Sequence, residues 1–316
     1  MAASAAPSVR SADSGGRNHG LWIFLIWLPI ALAADLLIYF VWGPHLPPGT
    51  MSNTAQSQQF DIKVMAVMAA PVMAGVLVYF GYALVVWRQR DGDDSDGPAI
   101  HGHAGIQAAW ITVTSVIVLS LAVFGTYELA WKGMDGAGAG QGPSPIWKPA
   151  GGTPLQVQVI GQQWRFTYRY PQFGGFETTD LVLPVGQAVQ FNVTSLDVIH
   201  DFWAYQLGVK ADANPGVNNV AYTTPTHTGV VTVRCDELCG LWHGAMFNYG
   251  KVVTMAQFQA WANKTETQLA SITAILPPYS TVYDPTVVPQ MSKAMQKGGL
   301  TGGNGYYYPP NDPVQP

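Results

Sequence analysis

The chain has only two cysteines, and both lie in the short run Cys235-Asp-Glu-Leu-Cys239-Gly-Leu-Trp-His243-Gly-Ala-Met246. The run offers two thiols, an imidazole and a thioether, and the main-chain carbonyl of Glu237 lies between the two cysteines. Soft sulfur and nitrogen donors are the ligands that copper favours, whereas Mg²⁺ and Ca²⁺ favour oxygen. The run therefore predicts a soft-metal site.

Three interpretations of these residues remain open on their chemistry alone. In an exported domain, two cysteines most often form a disulfide. Two thiolates with His243 and a further histidine, His200, could also hold tetrahedral zinc. A thioether is a familiar weak axial ligand of copper, so Met246 favours copper over zinc. A blue-copper site needs one cysteine, whereas two cysteines can bridge two copper ions that each carry one histidine.

The elements that must position this run begin with a membrane anchor. The 316 residues are only 11% charged, and the net charge of −4 gives no indication of a nucleic-acid partner. After a start at 1–20 that is predicted to be disordered, apolar stretches cover 21–42, about 64–87 and about 106–127. Each is long enough to cross a bilayer as a helix, and the last two predict a hairpin over 62–131.

The first apolar stretch has two interpretations. It can be a retained transmembrane helix or a cleavable signal peptide, because Ala31-Leu-Ala33 resembles a cleavage site. The apolar residues that follow Ala34 favour the retained helix. Arginines precede this stretch and close the second one, so the positive-inside rule predicts that everything after about residue 128 lies outside the cytoplasm.

The second half of the chain has the pattern of a β domain. A Gly/Pro-rich linker is predicted at 132–152, and short segments of alternating apolar residues follow it. Short strands at this spacing are typical of a sandwich or barrel. We expect this domain to cover 153–265, with a helix near its end and a Pro/Gly-rich tail over 266–316. The segments that predict strands are 155–160, 164–170, 181–183, 189–193 and 230–233.

Four segments together resemble subunit II of the haem-copper cytochrome c oxidases. They are Asp197-Val-Ile-His200, Gly208-Val-Lys-Ala-Asp212-Ala-Asn-Pro215-Gly216, the run from Cys235 to Met246, and Gly161-Gln-Gln-Trp164-Arg-Phe-Thr-Tyr-Arg-Tyr170. The resemblance covers roughly residues 60–262. It implies membrane helices followed by a cupredoxin-like antiparallel β-sandwich, in a bacterial-type plasma membrane with the sandwich on the outer face.

The resemblance also implies a function and a set of site residues. A dinuclear copper centre, CuA, would accept electrons from a cytochrome c and pass them to haem in subunit I, where O₂ is reduced to water and protons are translocated. Subunit III is a further implied partner, and no haem is expected in this chain. The implied copper ligands are His200, Cys235, Glu237 through its main-chain oxygen, Cys239, His243 and Met246.

Two side chains have further roles by the same resemblance. The carboxylate of Glu237 would help to bind Mg²⁺ or Mn²⁺ at the interface with subunit I, since hard oxygen ligands suit that ion. Trp164 corresponds to the exposed aromatic residue at which the donor cytochrome c delivers its electron.

The chain departs from the family at the start of the third helix. Gln107 stands where the family usually has a glutamate at the mouth of a proton channel, and an amide cannot ionise. One of His101 and His103 is a candidate substitute, because an imidazole side chain can take up and release a proton.

The numbers of acidic and basic side chains indicate what charge the electron donor can carry. Residues 148–266 hold eight acidic and seven basic side chains. This balance gives only weak long-range steering of a basic protein, so we expect a donor that is not strongly basic, such as a membrane-bound cytochrome c.

Other functions predict different residues. A quinol-oxidase subunit II would lack the copper ligands, which are all present. A membrane-anchored copper carrier would need no oxidase partner, and a purely structural sandwich would join Cys235 to Cys239 in a disulfide.

Overall fold

A computed structural model describes residues 18–88, 102–128 and 153–276. The expected linker at 132–152, His101 and most of the expected tail lie outside the described residues. The chain forms two compact units. One contains Met1–Trp42 and Val64–Ile111, and the other contains Gly43–Lys63 and Thr112–Pro316.

Three helices have the length and apolar composition needed to cross a membrane, as the sequence predicts. They are His19–His45, Asn53–Val86 and Ala104–Tyr127. The first consists of an α-helix, α1 (His19–Leu36), and a more irregular helical continuation, and the other two are α2 (Asn53–Val86) and α3 (Ala104–Tyr127). Most of their large apolar side chains are exposed, which fits a lipid environment far better than water.

The second unit contains the predicted β-sandwich. Its strands are β1 (Leu155–Gln162), β2 (Arg165–Arg169), β3 (Glu177–Thr178), β4 (Val182–Pro184), β5 (Val189–Ser195), β6 (His200–Ala204), β7 (Val209–Ala213), β8 (Asn219–Thr223), β9 (Gly229–Cys235) and β10 (Phe247–Val253). They form two five-stranded sheets with the orders β3-β2-β1-β5-β8 and β4-β10-β9-β6-β7.

The sandwich is mixed and not all-antiparallel, which corrects one part of the expectation. Strand β1 pairs with β5 in parallel, and β10 pairs with β4 in parallel. Between β1 and β5 the chain adds β2 and β3 and crosses to the other sheet as β4. Such a crossover lets β5 return in the same direction as β1.

The two sheets bury one apolar core between them. Alternating residues such as Val157, Val159, Phe191 and Val193 point inward and have no exposed surface. The ring of Phe202 contacts the ring of Phe191, with 5.2 Å between ring centroids. Three of the copper-ligand candidates, Cys235, Cys239 and Met246, belong to the same buried cluster, so the core itself holds the site in place.

A terminal helix, α4 (Met255–Thr273), closes one end of the sandwich. The sequence predicts a helix from Met255 to about Ile275, which already extends past the domain boundary placed at residue 265. A capping box begins it, in which Thr254 and Gln257 bond each other's main-chain N–H groups. The ring of Trp261 then packs on Tyr170, with centroids 5.1 Å apart, so burial of aromatic surface holds the helix against the sandwich.

Replacing Thr254 by Ala should loosen α4 without disturbing the sheets. The cap satisfies main-chain N–H groups that have no partner within the helix, and losing such a cap costs about 1 kcal/mol. Amide hydrogen exchange in the first turn of α4 should therefore speed up by roughly fivefold. Ser271→Ala, an exposed change in the same helix, is the control, and equal exchange in both variants would contradict the assignment.

The side chain of His103 caps the start of α3. Its Nδ1 accepts a hydrogen bond from the main-chain N–H of Ile106 at 3.1 Å, as a helix-capping side chain does. A role of His103 in proton uptake next to Gln107 stays a prediction.

Candidate metal centre

The candidate ligands meet at one end of two neighbouring strands in the second sheet. His200 is the first residue of β6, and Cys235 is the last residue of β9. Strands β6 and β9 are neighbours, and Phe202 pairs with Cys235. The loop that leads from β9 to β10 then supplies Cys239, His243 and Met246. Strand pairing therefore joins a histidine from one hairpin to a loop far along the chain.

The donor atoms form two linked groups. The Sγ atoms of Cys235 and Cys239 lie 3.7 Å apart, and both cysteines are free. His200 Nδ1 lies 3.7 Å from the sulfur of Cys235, and the main-chain oxygen of Glu237 lies 3.2 Å from the same sulfur.

The second group is centred on the other sulfur. His243 Nδ1 lies 3.5 Å from Cys239 Sγ, and Met246 Sδ lies 3.8 Å from it. Within the described parts of the chain, His200, Cys235 and Cys239 are the one group of His, Cys, Asp or Glu with ligand spacing. All six expected donors thus converge on one small volume.

Main-chain hydrogen bonds close the loop from 235 to 246. The N–H of Cys235 donates to the carbonyl of Met246 at 3.0 Å, so the two ends of the loop are joined. Inside it, His243 N–H donates to Gly240 O at 3.1 Å, and Met246 N–H donates to His243 O at 3.1 Å. These bonds give the three ligands of the loop one fixed arrangement.

The two buried thiols differ in acidity. Burial works to raise the pKa of Cys235, but hydrogen bonding with His200 and with the main chain of Asp201 outweighs burial and lowers that pKa to about 7. Burial, together with the neighbouring Cys235, raises the pKa of Cys239 to about 12. A metal bound through both sulfurs must displace the remaining proton.

His200 is held from its second nitrogen. Its Nε2 lies 2.8 Å from Oδ1 of Asp197, which leaves Nδ1 directed at the cysteine. Asp197 is itself fixed, because its carboxylate accepts hydrogen bonds from the N–H groups of Gln163 and Val198 at 2.7 Å each. A carboxylate on the far nitrogen of a ligating histidine sets its tautomer and orientation.

Glycine at 161 leaves room for this histidine. A Cβ at Gly161, in the interior of β1, would lie 3.0 Å from Cδ2 of His200. Only a residue without a side chain lets the imidazole, which has no exposed surface, lie against the first sheet.

Replacing Asp197 by Asn should weaken metal binding and leave the fold intact. The amide removes the charge that orients His200, and loss of such a partner typically costs 10–100-fold in metal affinity. A competitive copper titration of the purified full-length chain measures this. Asp180→Asn, an exposed carboxylate on the same domain, is the control, and equal affinities for both variants would rule out the orienting role.

Trp164 lies against the loop from 235 to 246. Its indole N–H donates to the carbonyl oxygen of Cys239 at 3.3 Å, and the side-chain amide of Gln163 donates to the same oxygen at 2.7 Å. Gly240 permits this approach, since a Cβ there would lie 2.9 Å from the Gln163 amide nitrogen. The half-exposed Trp164 ring thus links the surface to the main chain of a ligand.

The side chain of Glu237 is exposed, while its carbonyl faces Cys235. Next to it, Asp236 pairs with Lys210, which lies 3.6 Å from Asp201. Burial raises the pKa of Asp201 to about 6, against the opposing effect of Lys210. These contacts connect the loop from 235 to 246 with the β6–β7 hairpin.

The sequence predicts the candidate ligands but not the contacts of three residues beside them. Gly161, Gln163 and Gly240 stand within the segments quoted for the resemblance, but the sequence of those segments does not indicate which groups the three residues contact. A glycine in the interior of a predicted strand is a sign of close backbone or side-chain approach, and it could have indicated Gly161.

Comparisons with known proteins find a matching domain family and similar full-length proteins. Residues 177–253 match the family described as cytochrome C oxidase subunit II, periplasmic domain. Cytochrome c oxidase subunit 2 of Thermostichus vulcanus is 28% identical over 284 residues, which cover 76% of this chain and 85% of that protein. The same subunit of Synechocystis sp. is 28% identical over 307 residues, which cover 85% of this chain and 83% of that protein.

A solved structure is similar to the sandwich domain. It is the periplasmic domain of subunit II of cytochrome oxidase (CoxB) of Bradyrhizobium japonicum, with 32% identity over 37% of this chain and 96% of that chain, at a TM-score of 0.36. From the match to the periplasmic-domain family and the similarity to full-length relatives, the chain belongs to the cytochrome c oxidase subunit II family.

Proposed function

We propose that this chain receives electrons from a cytochrome c at a dinuclear copper centre and passes them to haem in subunit I. There O₂ is reduced to water, coupled to proton translocation. The observation that carries the proposal is the convergence of two free thiols, two imidazoles, a thioether and a carbonyl within 3.2–3.8 Å of their neighbours. The proposed ligands are His200, Cys235, Glu237 through its carbonyl, Cys239, His243 and Met246.

The donor set fits two copper ions. Each sulfur has its own imidazole and one further weak donor beside it, as two bridged metals require. A tetrahedral zinc site would need four donors and would leave the thioether and the carbonyl without a task. When bound, dinuclear copper supplies a one-electron carrier whose charge is shared between two metals.

The chain contributes rigidity and a dry environment. Cys235, Cys239, Met246 and His200 are at most 8% exposed, so little water reaches the sulfurs. The closed loop and the carboxylate behind His200 hold the donors in one geometry. A site whose ligands move little on gaining an electron has little to reorganise, and this favours electron transfer over bond chemistry.

The route of the electron into the site is proposed to begin at Trp164. Its ring is half-exposed, and its indole N–H contacts the carbonyl of Cys239. The near balance of acidic and basic side chains supports a donor that is not strongly basic, such as a membrane-bound cytochrome c.

The other proposed partners are a hard metal ion, two oxidase subunits and the membrane. The exposed carboxylate of Glu237 is proposed to bind Mg²⁺ or Mn²⁺ together with subunit I, and subunit III completes the assembly. The three apolar helices anchor the chain in a bacterial-type plasma membrane, with the sandwich on the outer face. The first helix is proposed to be retained.

Electron paramagnetic resonance of the full-length chain, purified in detergent and loaded with copper, tests the proposal. We expect hyperfine structure from two equivalent copper nuclei and a copper content of two per chain. A spectrum from a single copper nucleus would refute the dinuclear site. Co-purification of haem with the copper distinguishes an oxidase subunit from a free-standing copper carrier.

A further inference from the structure

The turn between β1 and β2 carries two neighbouring side chains that contact the loop from 235 to 246. The turn consists of Gln163 and Trp164. Both residues donate to one acceptor, the carbonyl oxygen of Cys239, from the Gln163 side-chain amide at 2.7 Å and from the Trp164 indole at 3.3 Å. A carbonyl oxygen has two lone pairs and can accept both hydrogen bonds. The two side chains therefore share one contact with the main chain of a proposed copper ligand.

The amide of Gln163 makes the closer of the two contacts. Its distance of 2.7 Å to the Cys239 oxygen is at the short end of the usual N–H···O range of about 2.7–3.2 Å. The indole nitrogen of Trp164, at 3.3 Å, lies just beyond that range. The amide therefore does more to set the direction of the carbonyl, and the indole contact depends on the direction that the amide sets.

The main chain of Gln163 is held by the other half of the site. Its N–H donates to Oδ2 of Asp197 at 2.7 Å, and Oδ1 of the same carboxylate lies 2.8 Å from Nε2 of His200. The carboxylate that orients one proposed ligand thus also fixes the backbone from which the amide contacts another. Gln163 connects the histidine beside one sulfur with the main chain of the cysteine that supplies the other.

Gly240 makes the direction of the Cys239 carbonyl depend on this amide. Its φ of +113° is a conformation that residues with a side chain rarely adopt. A Cβ at this position would lie 2.9 Å from the amide nitrogen of Gln163 and 3.6 Å from the indole nitrogen of Trp164. Glycine therefore gives the amide room. Its backbone freedom also lets the Cys239–Gly240 peptide group turn when nothing holds the oxygen.

We propose that Gln163 is a positioning residue for the entry of electrons. Its side-chain amide holds the Cys239–Gly240 peptide group so that the carbonyl faces the indole of Trp164. This role rests on the proposed function, in which Trp164 takes the electron from the donor. The role requires a hydrogen-bond donor at the end of the side chain, which glutamine has and which leucine and an ionised glutamate lack.

Loss of the amide should slow electron entry and leave the metal site in place. All six proposed copper donors remain when the side chain of Gln163 changes. Asp197 also keeps its hydrogen bond, because that bond comes from the main-chain N–H of residue 163. The ring of Trp164 stays on the donor-facing surface. Copper content, the copper spectrum and the KM for cytochrome c should therefore stay the same, while the rate of electron entry falls.

The test uses the assembled oxidase that contains the full-length chain with Gln163→Leu or Gln163→Glu. A flash reduces a ruthenium-labelled cytochrome c bound to the complex, and the reduction of copper and then of haem is followed optically. We expect entry into copper to slow by about fivefold with Gln163→Leu, which corresponds to the loss of one ordinary hydrogen bond. Gln163→Glu should slow entry further, because its carboxylate repels the carbonyl oxygen. Transfer from copper to haem should keep the wild-type rate.

Gln162→Leu and Gln162→Glu make the same changes one residue earlier and are the matched controls, which should keep the wild-type rates. Wild-type entry in both Gln163 variants would overturn the positioning role. Slowing only in proportion to copper content, or equal slowing in the Gln162 variants, would also overturn it, because these results indicate lost structure or altered surface charge. A wild-type complex without a dinuclear copper spectrum, or unchanged entry with Trp164→Leu, would instead remove the proposed function.

Discussion

Replacing Cys239 by Ser is expected to abolish the dinuclear copper spectrum and nearly all cytochrome c oxidation by the assembled complex. Cys239 lies at the centre of the site, 3.7 Å from the other sulfur, 3.5 Å from His243 Nδ1 and 3.8 Å from Met246 Sδ. A hydroxyl cannot bridge two soft metals as a thiolate does. The loss should therefore exceed the 10–100-fold that is typical of losing an outer partner of a ligand.

Copper content and steady-state turnover of the same preparation measure this effect. Ala245→Ser, in an exposed position of the same loop, is the control for a new hydroxyl and should keep both values. A Cys239→Ser complex with normal turnover would show that the sulfur pair does not carry the electron.

Replacing Trp164 by Leu is expected to leave the copper spectrum in place and to block the delivery of electrons to it. The indole is the group that reaches from the surface to the Cys239 carbonyl, at 3.3 Å. Without the ring, the donor loses its contact with the ligand shell, and we expect electron input to slow by about 100-fold. Stopped-flow oxidation of reduced cytochrome c by the complex gives this rate.

The matched control is another exposed aromatic residue of the sandwich. Tyr249→Leu lies on β10, where the side chain is 65% exposed, and it should oxidise cytochrome c at the wild-type rate. Equal slowing of both variants would indicate general damage to the donor surface and would remove the special role of Trp164.

The fold could be predicted from the sequence where apolar and polar residues alternate along a strand. The alternation in 155–160 and 189–193 predicts β1 and β5, although the polar residues between the core positions are mostly buried too. Strand β6 escaped prediction, since its run His-Asp-Phe-Trp-Ala contains a buried aspartate, Asp201, which is stabilised by Lys210 from the next strand. That partner cannot be identified without knowing the pairing.

The candidate metal site, too, could be predicted only in part from the sequence. Its ligands were predicted because five of six donors lie in one run, and their residue types alone indicate a soft metal. The supports of the ligands come from distant parts of the chain. Gln163 contacts the carbonyl oxygen of Cys239 across 76 positions, and Trp164 contacts the same oxygen across 75. Such contacts follow from the three-dimensional arrangement and leave no local pattern.

The hydrogen bond from Cys235 to Met246 has a consequence for how the site is filled. It turns the ligand loop into a ring closed by the backbone alone, so the order of the donors does not depend on a metal. In small zinc domains much of the free energy of metal binding is spent on folding the chain. Here the ordering of the loop belongs to the folding of the sandwich, and nearly all of the binding free energy remains available to retain the metal. A loop ordered in this way would let the folded chain take up a metal without first refolding the loop.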